Sequence, residues 1–92
     1  MIRVIFGERR LTLLGHADYA PKGQDIVCAA ASALVFALIG ALREQGQLKE
    51  LVMRPGYVTV AAEENGPEQW RLIRCGLEQL AGQYPACVRL EA

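Results

Sequence analysis

The sequence predicts an α+β fold, a two-layer sandwich in which two helices lie on a mostly antiparallel sheet, in the order ββαββαβ. Three observations carry that prediction. Short stretches alternate apolar and polar residues with period two, two longer stretches are apolar throughout or repeat with helical period, and Gly and Pro stand at the joints between them. With 92 residues the chain suits one domain, expected over residues 1–92, and one site. Hydrophobic residues make up 52% and charged residues 22%, a balance that argues against intrinsic disorder.

Ile2, Val4 and Phe6 alternate with Arg3 and Ile5, and Gly7-Glu8 turns the chain. A first strand and a second over residues 10–16, ending at His16, should therefore form a hairpin. Residues 17–24 lack periodicity and hold Pro21 and Gly23, which makes them a loop. Asp25 then caps a helix that runs to about Gln45, where Gly46 supplies a left-handed stop. Over residues 26–42 this helix carries no charge and only Ser32 as a polar break, just reaching the lower length limit of a membrane span. Its many small residues and the strand-like sequence before it favour instead a helix buried in a globular protein, with no membrane involved. A small domain covers such a helix only in part, so a homodimer is expected to supply the second layer.

Residues 48–53 and 57–62 read as a second hairpin around Arg54-Pro55-Gly56, where Pro and Gly suit the two centres of a type II turn. Gly66-Pro67-Glu68 opens the second helix, and Gly82 followed by Pro85 is expected to end it. Along this helix Trp70, Ile73, Leu77, Leu80 and Ala81 share one stripe, whereas Glu68, Arg71, Cys75, Glu78 and Gln79 lie off it. A last strand over residues 86–90 should turn Ala86, Val88 and Leu90 inward and Cys87 and Arg89 outward.

Ten Lys and Arg balance ten Asp and Glu, which argues against direct nucleic-acid binding, since that would need clustered positive charge. Three cysteines without a Cys-x-x-Cys pair, and a single histidine, point to free thiols in the cytoplasm and away from a closed zinc site; neither metal nor cofactor is expected. Cys28 stands apart from the other two. It follows Asp25 by three residues, in the first helical turn, where backbone N–H groups and the helix dipole favour an anion. His16 precedes the loop, which can return it to the helix start. A thiol beside an imidazole is what nucleophilic catalysis requires. The plainer readings are a Cys28 that is a small buried hydrophobe and a His16 that is a satisfied strand-end residue. Asp25 either caps the Cys28 N–H or orients the imidazole. Ser32, one turn beyond Cys28, either bonds the Cys28 carbonyl or steadies the loop. Gly15 and Gly23 would serve as hinges of a lid, and Tyr19 either meets a peptide or covers the helix start.

The stretch Gly15-His16-Ala17-Asp18, followed by Gly23-x-Asp25-Ile26-Val27-Cys28-Ala29-Ala30-Ala31-Ser32-Ala33-Leu34, resembles the ribosomal-processing cysteine protease family of Firmicutes and related bacteria. Element order and size look like that family across nearly the whole chain. The resemblance implies a homodimeric α+β fold and removal of a short N-terminal extension from a large-subunit ribosomal protein, after a Phe-Phe-Ala-like segment. Residue by residue, it implies Cys28 as nucleophile, His16 as base, Asp25 as the acidic motif residue and Ser32 as the small polar helix residue. Pro21 and Lys22 in the loop and the short second hairpin depart from the family's pattern. The alternative from another class is a non-catalytic dimeric interaction module in which Cys28 only packs. A thiol-redox role ranks third, because no resolving cysteine is near in sequence.

Overall fold

The computed structural model describes residues 1–64 and 67–91, and the expected order ββαββαβ is realised. The elements are β1 (Ile2–Gly7), β2 (Arg10–Leu14), α1 (Ile26–Glu44), β3 (Leu48–Arg54), β4 (Tyr57–Ala62), α2 (Pro67–Gln83) and β5 (Val88–Glu91). Gly66, expected to open α2, lies outside the described residues. The five strands form one sheet in the order β3-β4-β2-β1-β5. Every neighbouring pair is antiparallel except β1 and β5, which run parallel, so the sheet is mixed with an antiparallel majority.

Period-two alternation fixes which side of the sheet is covered. Ile2 and Val4 of β1, Leu11 and Leu13 of β2, Val60 and Ala62 of β4 and Val88 of β5 are all buried in one core. The register sets Val4 against Leu13 and Leu11 against Val60, which makes that face continuous across three strands. Val27, Ala31, Val35, Leu38, Ile39 and Leu42 of α1, with Ile73 and Leu77 of α2, complete the core from the helix layer. Fully burying a side chain such as Leu38 or Leu77 contributes about 1.5–3 kcal/mol. On the opposite face the Thr12 and Thr59 hydroxyls lie 2.9 Å apart, and Arg10 reaches across to both Thr59 and Glu50. Its stem thus helps to cover the middle of the open face.

The structure corrects three local expectations. β2 ends at Leu14 rather than His16, because Gly15 at φ +92° turns the chain out of strand geometry. α2 runs through Gly82 to Gln83. Just beyond it, the Tyr84 carbonyl accepts the N–H groups of both Cys87 and Val88 in a tight turn that contains Pro85. That turn takes Ala86 and Cys87 out of β5, so Ala86 is exposed and Cys87 is half-buried against the core, the reverse of their expected sides. As expected for so small a domain, α1 is covered only in part, along one stripe. With α2 as the other member of its layer, it leaves Ile26 (56% exposed), Phe36 (55%) and the small residues Ala29, Ala33, Ala37 and Gly40 uncovered. By length and composition alone α1 could cross a membrane, yet its buried side chains belong to the core described above.

Candidate active site

Asp25 shows how the sequence builds the site locally. Its Oδ1 accepts the N–H groups of Val27 (3.0 Å) and Cys28 (2.9 Å), which caps α1. Its Oδ2 accepts those of Tyr19 (2.9 Å) and Ala20 (3.4 Å), which pins the loop onto the helix start. The Cys28 amide first, with the other three amides adding to it against the cost of burial, holds this carboxyl below its ordinary range. Of the two readings of Asp25, the geometry matches the cap. Both of its oxygens are engaged by backbone amides.

Cys28 occupies the third position of α1 and is half-buried. The Ala17 N–H donates to its Sγ at 3.3 Å. Ala17 itself is only 2% exposed, so this donor is fixed by the core, and an N–H aimed at sulfur stabilises negative charge there. His16, immediately before Ala17, is exposed. Thus the loop that leaves β2 brings a donor to the sulfur through Ala17, and the residue before it, His16, lines the same recesses as Cys28.

Two clefts meet at these groups. One, of about 410 Å3, has apolar walls that include Leu13, Val35, Phe36, Met53 and Val58. The other, of about 620 Å3, is bordered by Asp18, Lys22, Gly23, Asp25 and Pro55. His16, Cys28 and Ser32 line both, so the thiol and the imidazole border a recess walled by large apolar side chains and a second one rimmed by charged loop residues. Ser32 is exposed there, and among the described residues its hydroxyl forms no bond back to the Cys28 carbonyl.

The remaining loop residues divide unequally. Gly15 is clamped: its N–H donates to the Gly56 carbonyl (2.8 Å), and a Cβ at its φ of +92° would run into the Met1 carbonyl oxygen. Gly23 sits at φ +89°, a conformation that favours glycine, with open space where a Cβ would be. Tyr19 lines neither cleft. Its ring, 49% exposed, packs edge-on against Tyr84 with centroids 5.4 Å apart, so it fastens the loop to the chain beyond α2. All three thiols are free, and Cys75 is exposed as expected. Among the described residues no three His, Cys, Asp or Glu side chains cluster as metal ligands would. Two elements escape a sequence reading: the Ala17 amide and the Pro55-Gly56 turn. Only the pairing of β2 with β4 reveals the second.

Comparison with known proteins gives a consistent result. The family model described as Cysteine protease Prp matches residues 1–89. The ribosomal processing cysteine protease Prp of Mycoplasma pneumoniae is 53% identical over 36 residues, 39% of this chain; the match spans 36% of that relative's length. Among solved structures, the essential ribosomal processing protease Prp from S. aureus, in complex with a covalently linked product peptide, superposes with a TM-score of 0.88 at 24% identity, covering 99% of this chain and 98% of that one. SMU.848 from Streptococcus mutans gives 0.78 at 24% identity, over 99% and 92% of the two chains. The S. aureus protease with a substrate peptide gives 0.75 at 19% identity, over 98% and 95%. The structural likeness is one of fold.

Proposed function

This chain belongs to the cysteine protease Prp family, and from that premise we propose that it is a cysteine endopeptidase that trims the N-terminal extension of a large-subunit ribosomal protein in the cytoplasm. One observation carries the reading: the Cys28 thiol and the His16 imidazole line the same two clefts, one walled by large apolar side chains and the other rimmed by charged loop residues. A peptide laid across both has its aromatic residues, those of a Phe-Phe-Ala-like segment, in the first. Its polar continuation lies beside Asp18 and Lys22 in the other. The scissile carbonyl then sits over sulfur.

His16 takes the Cys28 proton, and Sγ attacks the carbonyl carbon while the C=O electron pair moves onto oxygen. Collapse of that intermediate expels the amine, which leaves with the proton from His16. Water, deprotonated by His16, then releases the acyl group and restores the thiol. The amides of Val27 and Cys28 are taken by Asp25, so the helix start is a poor oxyanion site. The Ala17 N–H, held by the core beside the sulfur, is a donor placed to meet the developing oxyanion.

Mass spectrometry of a peptide carrying a Phe-Phe-Ala segment, and of the ribosomal precursor, tests the reading. The wild-type chain should split both after the Ala. Cys28→Ala should leave them intact, and His16→Ala should cut about 100-fold more slowly or worse. An intact peptide and precursor after wild-type treatment would return the chain to the interaction-module reading.

A further inference from the structure

We infer that the β3–β4 turn, and Gly56 within it, is the backstop that positions His16 for reaction with Cys28; the inference rests on the protease reading above. Gly56 sits at φ +72°, and a side chain there would place its Cβ 3.0 Å from His16 Nε2, 3.6 Å from Cε1 and 3.7 Å from Cδ2. The Nε2 edge of the imidazole is therefore directed at the bare backbone of Gly56. A methyl group at this position presses on the ring, which must give by a few tenths of an ångström.

Three further observations tie the turn to the site. The β2–β4 register ends with Leu14 opposite Tyr57, and the next residues out, Gly15 and Gly56, are joined by the 2.8 Å hydrogen bond from the Gly15 N–H. His16 follows Gly15 directly, so the same bond fixes where the histidine backbone leaves the sheet. The turn also borders both clefts: Pro55 lines the one that holds Asp18 and Lys22, while Arg54, Gly56 and Tyr57 line the one that holds Phe36 and Met53. The Arg54 guanidinium, 4.3 Å from the Tyr57 ring centroid, braces the two flanks of the turn against each other. Asp25 makes no use of His16, so the usual means of orienting a catalytic imidazole is absent at this carboxylate, and steric support from the turn takes that place.

The test compares Gly56→Ala with Gly46→Ala. Gly46 has nearly the same backbone conformation (φ +69°) but nothing within 4 Å of a Cβ, so both variants carry similar backbone strain and only the first touches the histidine. Gly56→Ala should lower kcat for the peptide about 10- to 100-fold with little change in KM, since a small misplacement of a reacting group has that effect. Alkylation of Cys28 near neutral pH, mapped by peptide against Cys75 in the same sample, should slow in parallel. Gly46→Ala should keep both rates. Replacing Gly56 by D-alanine, through chemical synthesis, suits the positive φ and turns the methyl away from the imidazole, so it should restore both; this arm also serves if the L-alanine variant folds poorly. Equal losses in the Gly56 and Gly46 variants, or a D-alanine chain as slow as the L-alanine one, would overturn the inference. The alkylation rates report on it even if wild-type chain leaves the peptide uncut, a result that counts against the protease reading alone.

Discussion

Asp25 is the residue on which the site's local order turns, because one carboxylate serves four amides with two oxygens. An amide in its place keeps one acceptor oxygen and loses the other. Asp25→Asn is therefore expected to preserve the helix cap through Val27 and Cys28 while releasing Tyr19 and Ala20. Hydrogen exchange checks this directly: the Tyr19 and Ala20 amides should exchange faster, those of Val27 and Cys28 should stay protected, and peptide cleavage should fall about tenfold through a loosened loop. Unchanged protection at Tyr19 and Ala20 would contradict the geometry. The pH dependence has a definite sign. The folded carboxyl titrates below its ordinary value of 3.8, so its stabilisation is complete above that value and fades as pH falls through the depressed folded one. Gly15 is a second residue without an acceptable substitute, since Ala there meets both the strain of φ +92° and the Met1 carbonyl. These roles were partly legible in advance. The Asp-x-x-Cys spacing at a helix start announces a cap, and the cap is found. The second pair of amides was hidden, because loop residues 17–24 have no periodicity from which a path could be read.

At the scale of elements, β5 and α2 make opposite points about edges and contacts. The parallel edge strand β5 is held to β1 by a carboxylate: Glu91 receives the Arg3 guanidinium at 3.0 and 2.8 Å and that of Arg89 at 2.8 Å, which pulls its pKa from 4.5 to about 2. The clamp's contribution is whole above pH 4.5 and is lost progressively toward pH 2. Urea unfolding of wild type and Glu91→Gln should thus differ most above pH 4.5 and converge below it; a gap that stays constant with pH would sink the assignment. In α2, Gly76 and Gly82 look alike in sequence but not in space. A Cβ at Gly82 meets nothing, whereas one at Gly76 comes within 2.9 Å of Leu34 Cδ2. Gly82→Ala is expected to stabilise by up to about 0.5–1 kcal/mol through helix propensity. Gly76→Ala should gain nothing or lose about 1 kcal/mol, as the Leu34 side chain is pushed from its place between the helices. Equal midpoints for the two variants would mean that the α1–α2 contact is looser than described. Element type and face were readable because period two and period 3.6 are local signals. Strand neighbours were not: nothing in residues 54–56 says that their turn will stand beside β2, and that adjacency, set by the order β3-β4-β2-β1-β5, brings Gly56 to His16.

For the molecule as a whole, the unresolved tension lies in α1, whose sequence is apolar throughout while the fold covers one stripe of it. Ile26, Ala29, Ala33, Phe36, Ala37 and Gly40 are left facing outward, a continuous surface of small residues around one exposed aromatic ring. Small side chains permit close approach of a second helix, and a closed twofold pair would bury each copy's patch against the other's. The face also adjoins the chemistry, since Phe36 forms part of the apolar cleft that reaches Cys28. We therefore expect a dimer in solution, with twice the 10.1 kDa chain mass by light scattering. Ala37→Glu is the informative variant: Ala37 is exposed and lines neither cleft, so a charge there leaves the site's walls alone while opposing its own copy across the axis. It should yield a folded monomer with unchanged circular dichroism. A wild-type chain that remains monomeric at every concentration would remove the second copy as the cover for α1. Association of that monomer with lipid vesicles would assign the face to a membrane surface instead, because the same apolar helix has the length for either environment and only its partner decides which one it meets.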